Sequence, residues 1–256
     1  MLDKKSPIPL YYQLVEAIRD RIRAGELTAG AQLPAERELS EQFGISRMTV
    51  RQAVRYLVNE DVLVTRQGAG TFVAEPKLSF DPLHALGFTE EMMQRGADAT
   101  SRVLEQAVID PPASIAAKLD LLSGERVTKI MRLRLAADVP LLLETVYVPT
   151  VQFPGLDSEN LAQHSLYQLM RDTHGIRPAG ARQTLEAVPA NDYECALFGV
   201  APGTPMILLQ GVTVDQGNQP IECFKAIYRG DRFEIAFDSR PGVKGESASH
   251  LAVVMR

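Results

Sequence analysis

Apolar residues recur at every fourth position near the start of the chain, and this spacing predicts an α-helix with one buried face: Leu10, Leu14, Ile18 and Ile22. Pro9 can open this helix and Gly25 can end it. A second helix is predicted to start at Pro34 and to stop at Gly44. The region therefore begins with two helices.

A third helix follows after only Gly44 and Ile45. Ser46 is a suitable N-cap, and the buried side is predicted to carry Val50, Ala53, Val54 and Leu57. A short helix, a tight turn at glycine and another short helix form the helix-turn-helix pattern.

The exposed side of the third helix carries the first functional signal. Arg47, Arg51 and Arg55 are spaced by four and form a row, and no acidic residue lies between Ser46 and Asn59. An α-helix fits the major groove of DNA, where arginine contacts guanine or phosphate. A solvated arginine face is the alternative, and the preceding helix and turn favour DNA.

A predicted hairpin follows the third helix. Residues 62–64 and 71–73 are strand-like, and the tip at 66–70 contains two glycines. A basic tip on a two-stranded wing suits contact with a minor groove or a phosphate. An ordinary hairpin is the alternative.

The pattern changes beyond a polar, proline-containing linker at 76–80. Short helices are predicted at 88–95, 112–121, 166–173 and 192–198, and strands at 101–110, 127–135, 141–148, 183–188, 206–214, 221–228 and 233–237. Turns at 138–140 and 215–218 join neighbouring strands into hairpins. The prediction is an α+β domain on an antiparallel sheet, within a two-domain α+β chain.

Composition narrows the function less than the pattern does. The 256 residues include 45% hydrophobic and 23% charged residues, with a net charge of -5. The sequence has neither a long apolar run nor a signal-peptide core, so we expect a cytoplasmic protein. Cys195 and Cys223 fit no zinc spacing and are expected to be reduced and buried. We expect no metal and no cofactor.

Two arginines carry the candidate chemistry of the second half. Arg132 and Arg134 alternate in an apolar strand and so share one face, where two guanidiniums can bind a phosphate or carboxylate. A solvated sheet face with paired charges is the alternative. Thr89 opens a helix whose N–H groups could also accept an anion. Glu144 and Glu222 could accept sugar hydroxyls or be surface carboxylates.

The first domain resembles the GntR family of winged-helix regulators. The resemblance is carried by PLYYQ at 9–13, LPAEREL at 33–39, SRMTVR at 46–51 and GAGTFV at 68–73. It implies DNA contact by seven residues: Arg37, Ser46, Arg47, Thr49, Arg51, Gln67 and Gly68. Ala35 stands where the family often has serine.

The second domain resembles the UTRA domain of the HutC subfamily of GntR regulators. The resemblance is carried by FTEEM at 88–92 with Arg95-Gly96, RLR at 132–134, Glu144 with Val148-Pro149, SLY at 165–167, Ile221-Glu222 and YRGDRF at 228–233. It implies a chorismate-lyase-like fold used for binding. Around a phosphate it would place Phe88, Thr89, Arg132, Arg134, Ser165 and Tyr167; Glu144, Glu222 and Tyr228 would face a sugar.

Together these signals predict a DNA-binding domain over 1–75, a linker over 76–80, an effector-binding and dimerisation domain over 81–245, and a tail over 246–256. The leading hypothesis is a homodimeric repressor that binds an inverted repeat and responds to an anionic metabolite, such as an amino-sugar 6-phosphate. A purely dimerising second domain is the alternative. A lyase-like enzyme is a remote one, because His84, His164, His174 and His250 form no metal pair and no nucleophile motif is present.

Overall fold

A computed structural model gives the fold and describes residues 2–75, 77–80, 87–94 and 98–235. The chain divides into two compact units, Met1–Lys77 and Leu78–Arg256. Arg95, Gly96, His84, His250, the end of the strand predicted at 233–237 and the tail predicted at 246–256 lie outside the described residues. Among the described helices, none has the length and apolar character needed to cross a membrane.

The first unit consists of three helices and a hairpin, as the apolar spacing predicts. Its elements are α1 (Leu10–Arg23), α2 (Glu36–Phe43), α3 (Arg47–Asn59), β1 (Leu63–Arg66) and β2 (Gly70–Val73). Leu14, Ile18, Leu39 and Leu57 are fully buried in a shared core. The amphipathic faces of the helices therefore meet one another, and the predicted helical architecture of this unit is confirmed.

The turn of the helix-turn-helix depends on local backbone chemistry. Gly44 ends α2 in the left-handed conformation, with φ of 63°, which costs glycine least. The predicted start of α2 at Pro34 is wrong by two residues. Ala35 has an extended backbone, and its N–H donates to the Glu38 carboxylate at 3.0 Å, so Ala35 lies just outside the helix.

The hairpin pairs Leu63 with Val73 and Arg66 with Gly70 in antiparallel register. Gly68 and Gly70 have φ of 75° and 123°, values that allow the tight tip. The segment before α2 extends this sheet, because Leu33 N–H donates to Thr71 O at 2.8 Å. The wing therefore rests on the segment that leads into α2.

The second unit is built on an antiparallel sheet of six strands in the order β4-β5-β6-β9-β8-β7. These strands are β4 (Ala99–Ile109), β5 (Val127–Ala136), β6 (Val139–Pro149), β7 (Pro178–Pro189), β8 (Pro205–Asp215) and β9 (Pro220–Arg229). The helices are α4 (Phe88–Gln94), α5 (Ala113–Lys118), α6 (Leu166–Asp172) and α7 (Asp192–Phe198), with a 3-10 turn at Leu156–Ser158. The predicted two-domain α+β fold class is confirmed.

Alternation along the central strands assigns the helices to opposite faces of the sheet. On one face, Phe88 and Met92 of α4 pack with Leu142 and Tyr228, while Leu166 of α6 packs in an adjacent cluster. On the other face, Phe198 of α7 packs against Leu133, Leu143 and Ile227. Arg132 and Arg134 alternate with Leu133 and so belong to the face that α4 and α6 cover.

Most element ends differ by one or two residues from the sequence predictions, and α5 ends at Lys118 instead of at 121. Three further differences have a clear physical reason. Strand β7 is twice as long as 183–188, because Pro178 and Pro189 both pair with β8, and an edge strand tolerates proline. The β5–β6 turn is Ala137-Asp138, not 138–140, since these two residues take φ of 46° and 62°, as a two-residue hairpin requires. Residues 78–80, predicted as linker, form β3 (Leu78–Phe80), which pairs in parallel with β10 (Phe233–Ile235).

Candidate functional site

The exposed face of α3 carries the arginine row. Arg47, Arg51 and Arg55 are exposed, whereas Val50, Ala53 and Leu57 on the opposite side are buried. Arg37 of α2 and Gln52 of α3 are also exposed. The helix therefore presents guanidinium and amide donors outward from a rigid core, which is the arrangement that a major groove accepts.

Ser46 and Thr49 shape the start of this helix. Ser46 Oγ accepts a hydrogen bond from Thr49 N–H at 3.1 Å and lies 2.9 Å from Thr49 Oγ1. The serine is therefore the N-cap of α3. Its hydroxyl also contacts the Thr49 hydroxyl, and the family resemblance assigns both residues to DNA contact.

Arg51 forms an ion pair with Glu36, which lies 15 residues earlier in the chain and on another helix. Its Nε lies 3.1 Å and its Nη2 2.8 Å from the two oxygens of Glu36, the first residue of α2. The arginine row is acid-free along α3, but the fold brings an acid against it. The hydrogen bond from Arg51 holds the pKa of Glu36 below its usual value, helped by the charges of Arg55 and Arg47.

The tip of the wing presents Gln67 and Gly68, both exposed. Gln32 Nε2 donates to Ala69 O at 2.9 Å and so supports the tip from behind. A Cβ at Gly70 would lie 2.7 Å from that same Nε2, so glycine leaves room for this contact. Arg66 stacks on Phe72, with Cζ 4.8 Å from the ring centroid.

The second unit contains a buried arginine pair. Arg132 is 2% and Arg134 3% exposed, and both reach the same oxygen of Glu144: Arg132 Nη2 at 2.5 Å and Arg134 Nη1 at 2.9 Å. Burial alone would raise the pKa of Glu144, but the two arginines hold it below its usual value. The predicted pair thus shares an ionised internal carboxylate.

Helix α4 completes the surroundings of Arg134. The Nη2 atom of Arg134 donates to Thr89 Oγ1 at 2.6 Å, and the Cζ atom of Arg134 lies 4.9 Å from the centre of the Phe88 ring. The Nε atoms of Arg132 and Arg134 are buried and have no hydrogen-bond partner among the described residues. Two cations, one shared anion and two unused donors leave the cluster with spare capacity for an anion.

A second polar group lies on the same face of the sheet. Glu222 Oε2 accepts from Tyr167 OH at 2.8 Å and from Thr213 Oγ1 at 2.9 Å. Burial raises the pKa of Glu222 to about 7, although both hydrogen bonds oppose this rise. Burial and the adjacent carboxyl also raise the pKa of Tyr167 well above its usual value. Tyr167, assigned to the phosphate end by resemblance, contacts the acid assigned to the sugar end.

Ser165 joins α6 to α4. Its Oγ caps α6 by accepting from Gln168 N–H at 3.2 Å and donates to Glu90 Oε1 at 3.0 Å, where Arg171 Nη2 also lies at 3.0 Å. A Cβ at Gly87 would lie 2.6 Å from Glu90 Oε2. Any side chain at position 87 would therefore have to displace the Glu90 carboxylate.

Tyr228 belongs to the apolar cluster that α4 forms with this face of the sheet. It is buried, opposes Leu142 across the β6–β9 pair and packs edge-to-face with Phe233, with ring centroids 5.0 Å apart. Its ring therefore adds an apolar surface beside the Phe88 ring that Arg134 approaches.

Sequence reasoning missed Glu90, Arg171, Thr213 and Glu36 as members of these sites. Thr213 could have been found, because the predicted β8–β9 hairpin places it opposite Glu222. The others depend on contacts between elements that the sequence does not pair. Cys223 is buried, and Cys195 is partly buried; both are free thiols. Within the described ranges, no cluster of three or more potential metal ligands occurs.

The fold and the two sites define a DNA-binding transcription regulator: a winged helix-turn-helix joined to a domain with a buried polar site. Residues 10–73 match the bacterial regulatory proteins of the gntR family, and residues 94–234 match the UTRA domain. The chain belongs to the GntR family of transcription regulators, in its UTRA-containing HutC subfamily.

Curated relatives and a solved structure agree with this assignment. The chain is 39% identical to the HTH-type transcriptional repressor NagR of Bacillus subtilis over 91% of its length and 95% of the relative. It is 35% identical to the mannosyl-D-glycerate transport/metabolism system repressor MngR of Escherichia coli over 81% of its length and 87% of the relative. The crystal structure of PhnF from Mycobacterium smegmatis matches with a TM-score of 0.62 and 33% identity, over 88% of this chain and 100% of PhnF.

Proposed function

We propose that this regulator is a repressor whose affinity for operator DNA is controlled by a small anion bound in the second domain. The relatives named above are repressors, and one is named for a sugar-derivative system. As a regulator of chromosomal DNA it would act in the cytoplasm. The second domain would bind rather than catalyse.

For DNA binding we propose that α3 enters the major groove. Its exposed arginines would contact base edges and phosphates, while the wing tip approaches the neighbouring backbone or minor groove. The proposed contacts are those of the family resemblance: Arg37, Ser46, Arg47, Thr49, Arg51, Gln67 and Gly68. The capped N-terminus of α3 supports this placement, because N-terminal residues of a recognition helix reach the bases.

The observation that carries the effector proposal is the shared carboxylate of Arg132 and Arg134. Two buried guanidiniums pair with Glu144, and their Nε atoms have no partner among the described residues. Buried charges without full pairing are costly, so an added anion would lower the free energy of this state. Phosphate suits planar, two-point recognition by arginine.

We further propose that the effector carries hydroxyls, as a sugar phosphate such as an amino-sugar 6-phosphate does. The polar group formed by Tyr167, Thr213 and Glu222 lies on the same sheet face and can exchange hydrogen bonds with hydroxyls. Phe88 and Tyr228 offer apolar walls for the carbon skeleton. Thr89 and Ser165 would contribute hydroxyls to the anion.

A homodimer completes the proposal, because two winged helices related by a two-fold axis read an inverted repeat. Strand β7 is a 12-residue edge strand whose side chains are mostly exposed, with Leu185 at 42%. Long, exposed edge strands are ready to pair with another chain. We therefore propose β7 as part of the dimer contact.

Control of DNA binding requires that the effector prefer one arrangement of the dimer. An anion that bound both arrangements equally would release no DNA, however tightly it bound. Since the Glu144 carboxylate already neutralises part of the arginine charge, the effector would have to displace or share it. This exchange gives the bound and unbound states different contacts.

A thermal-shift titration of the full chain tests the effector site. The probes are glucosamine 6-phosphate, N-acetylglucosamine 6-phosphate, glucose 6-phosphate, glycerate and inorganic phosphate. We expect a sugar phosphate to raise the unfolding temperature in a saturable way, since a ligand stabilises the state that binds it. Thr89→Val should weaken the response, whereas Thr100→Val, an exposed threonine on β4, should not.

The same titration separates the alternative. If no anion shifts the unfolding temperature, a second domain that only dimerises becomes the better account. If Thr89→Val and Thr100→Val respond alike, an anion binds but the assigned site is wrong.

A further inference from the structure

Glu36 places a negative charge against the arginine row of α3, the face that is proposed to bind the negatively charged DNA backbone. It is the first residue of α2, and Arg47, Arg51 and Arg55 of α3 all lower the pKa of its carboxyl group. A DNA-binding face gains affinity from each uncompensated cation, because cations release counterions from the phosphate backbone. An acid at this position reduces that gain and calls for another role.

The geometry of the Glu36–Arg51 pair indicates what this role is. Arg51 donates through Nε and Nη2 to both carboxylate oxygens, at 2.8–3.2 Å. Side-on pairing at two points fixes the plane of the guanidinium. Among the described residues Nη1 has no hydrogen-bond partner, so the donors on this nitrogen stay available for a third group.

We propose that Glu36 is a positioning and specificity-determining residue, which holds the Arg51 guanidinium for a base edge and keeps it from binding phosphates indiscriminately. The inference rests on the proposed contact of Arg51 with DNA. Guanine is the base that the free donors fit, through its O6 and N7 acceptors. The carboxylate also repels phosphates, so a wrongly placed duplex gains less from this face.

The test compares two variants that remove the same charge from the same helix. Glu36→Gln loses the pair with Arg51, whereas Glu41→Gln removes an exposed carboxylate from α2. The probes are a duplex enriched by the wild-type protein from a random pool and a scrambled duplex of the same composition. Affinity is measured by fluorescence anisotropy across a series of salt concentrations.

For Glu36→Gln we expect tighter binding to the scrambled duplex and a salt slope steeper by about 0.9, the value for one added phosphate contact. The ratio of specific to scrambled affinity should fall about tenfold, the discrimination typical of a well-made base contact. Glu41→Gln should leave this ratio unchanged. Glu36→Asp retains the charge and shortens the reach, so it should lose specificity with little change in slope.

Exposed ion pairs contribute little to stability, so all variants should fold, and unfolding temperatures will verify this. Equal affinity ratios for Glu36→Gln and Glu41→Gln would overturn the inference. Arg51→Ala separates this failure from that of the DNA contact itself. If Arg51→Ala binds both duplexes as the wild type does, Arg51 does not contact DNA.

Discussion

Arg132 and Glu144 oppose each other directly across the β5–β6 pair, and their ion pair lies in a site from which solvent is almost excluded, with Arg132 2% exposed. The strand register therefore forms this pair before any ligand arrives. Arg134, two residues along the same face, adds a second cation to the same carboxylate oxygen. An internal anion thus occupies part of the arginine site.

Glu144→Gln removes that internal anion and leaves two buried cations close together. We expect the free energy of unfolding to fall by about 3 kcal/mol, the scale for breaking a buried ion pair. Inorganic phosphate or a sugar phosphate should then stabilise this variant more than it stabilises the wild type, since it replaces the lost charge. Thermal unfolding with and without the anion measures both effects.

Asp157→Asn, which removes an exposed carboxylate from the 3-10 turn at Leu156–Ser158, is the control and should change neither quantity. A Glu144→Gln protein as stable as the wild type would show that the carboxylate is not needed to neutralise the arginines.

The buried Glu222 carboxyl predicts a dependence of stability on pH. Its pKa is raised to about 7 in the folded state because burial disfavours the charged form. The folded state therefore binds more protons than the unfolded state above the ordinary pKa of 4.5, and stability falls as the pH rises through about 7.

Glu222→Gln removes this titration and mimics the protonated form. Its unfolding temperature should equal or approach that of the wild type near pH 5 and exceed it by several degrees at pH 8.5, because each pKa unit corresponds to about 1.4 kcal/mol. Tyr167, Thr213, Arg132 and Glu144 surround this carboxyl and are retained. A difference between the two proteins that does not vary with pH would contradict the prediction.

Ser46 allows capping to be separated from DNA contact. Ser46→Ala loses the hydrogen bond to Thr49 N–H and should cost about 1 kcal/mol of stability. Ser46→Asp restores the cap, since aspartate is as good an N-cap as serine, but places a negative charge at the proposed phosphate contact. We expect Ser46→Asp to unfold like the wild type and to bind DNA much more weakly.

Unfolding curves and gel shifts on the same preparations provide the two readouts. Tight DNA binding by Ser46→Asp would place Ser46 away from the phosphates.

Leu185 tests the proposed dimer edge. It is 42% exposed on β7, and Leu185→Lys would add a charge where another strand is proposed to pair. We expect light scattering after gel filtration to show a dimer for the wild type and a lower mass at equal concentration for Leu185→Lys. Val151→Lys, at a residue 71% exposed in the loop after β6, should remain dimeric.

Dissociation of Val151→Lys instead of Leu185→Lys would move the dimer contact to the loop after β6.

The spacing of apolar residues and the capping residues were enough to predict the helices and most of the strands from the sequence. In α3 the apolar positions recur at helical spacing, and Ser46 marks its start as the N-cap that the structure contains. Strand β3 was not predicted, because three residues are too few to show an alternation of apolar and polar positions. Its partner β10 also lies at the far end of the domain in sequence. The ends of β7 were not predicted, because Pro178 and Pro189 normally indicate the end of a strand, although an edge strand accepts proline.

The sites were predictable as residue types but not as networks. Alternation in β5 placed Arg132 and Arg134 on one face, yet their shared partner Glu144 depends on the register between strands. The Glu36–Arg51 pair likewise depends on the angle between two helices, which side-chain packing sets and sequence spacing does not.

Operator binding in the presence of the effector tests the central claim most directly. The wild-type protein is titrated onto a duplex that it enriches from a random pool, with increasing concentrations of the sugar phosphate that gives the largest thermal shift. We predict that the sugar phosphate lowers the DNA affinity in a saturable way. This effect should be smaller in Thr89→Val and unchanged in Thr100→Val. Reciprocally, DNA should weaken binding of the sugar phosphate by the same factor. Equal DNA affinity with and without every anion tested would contradict the account.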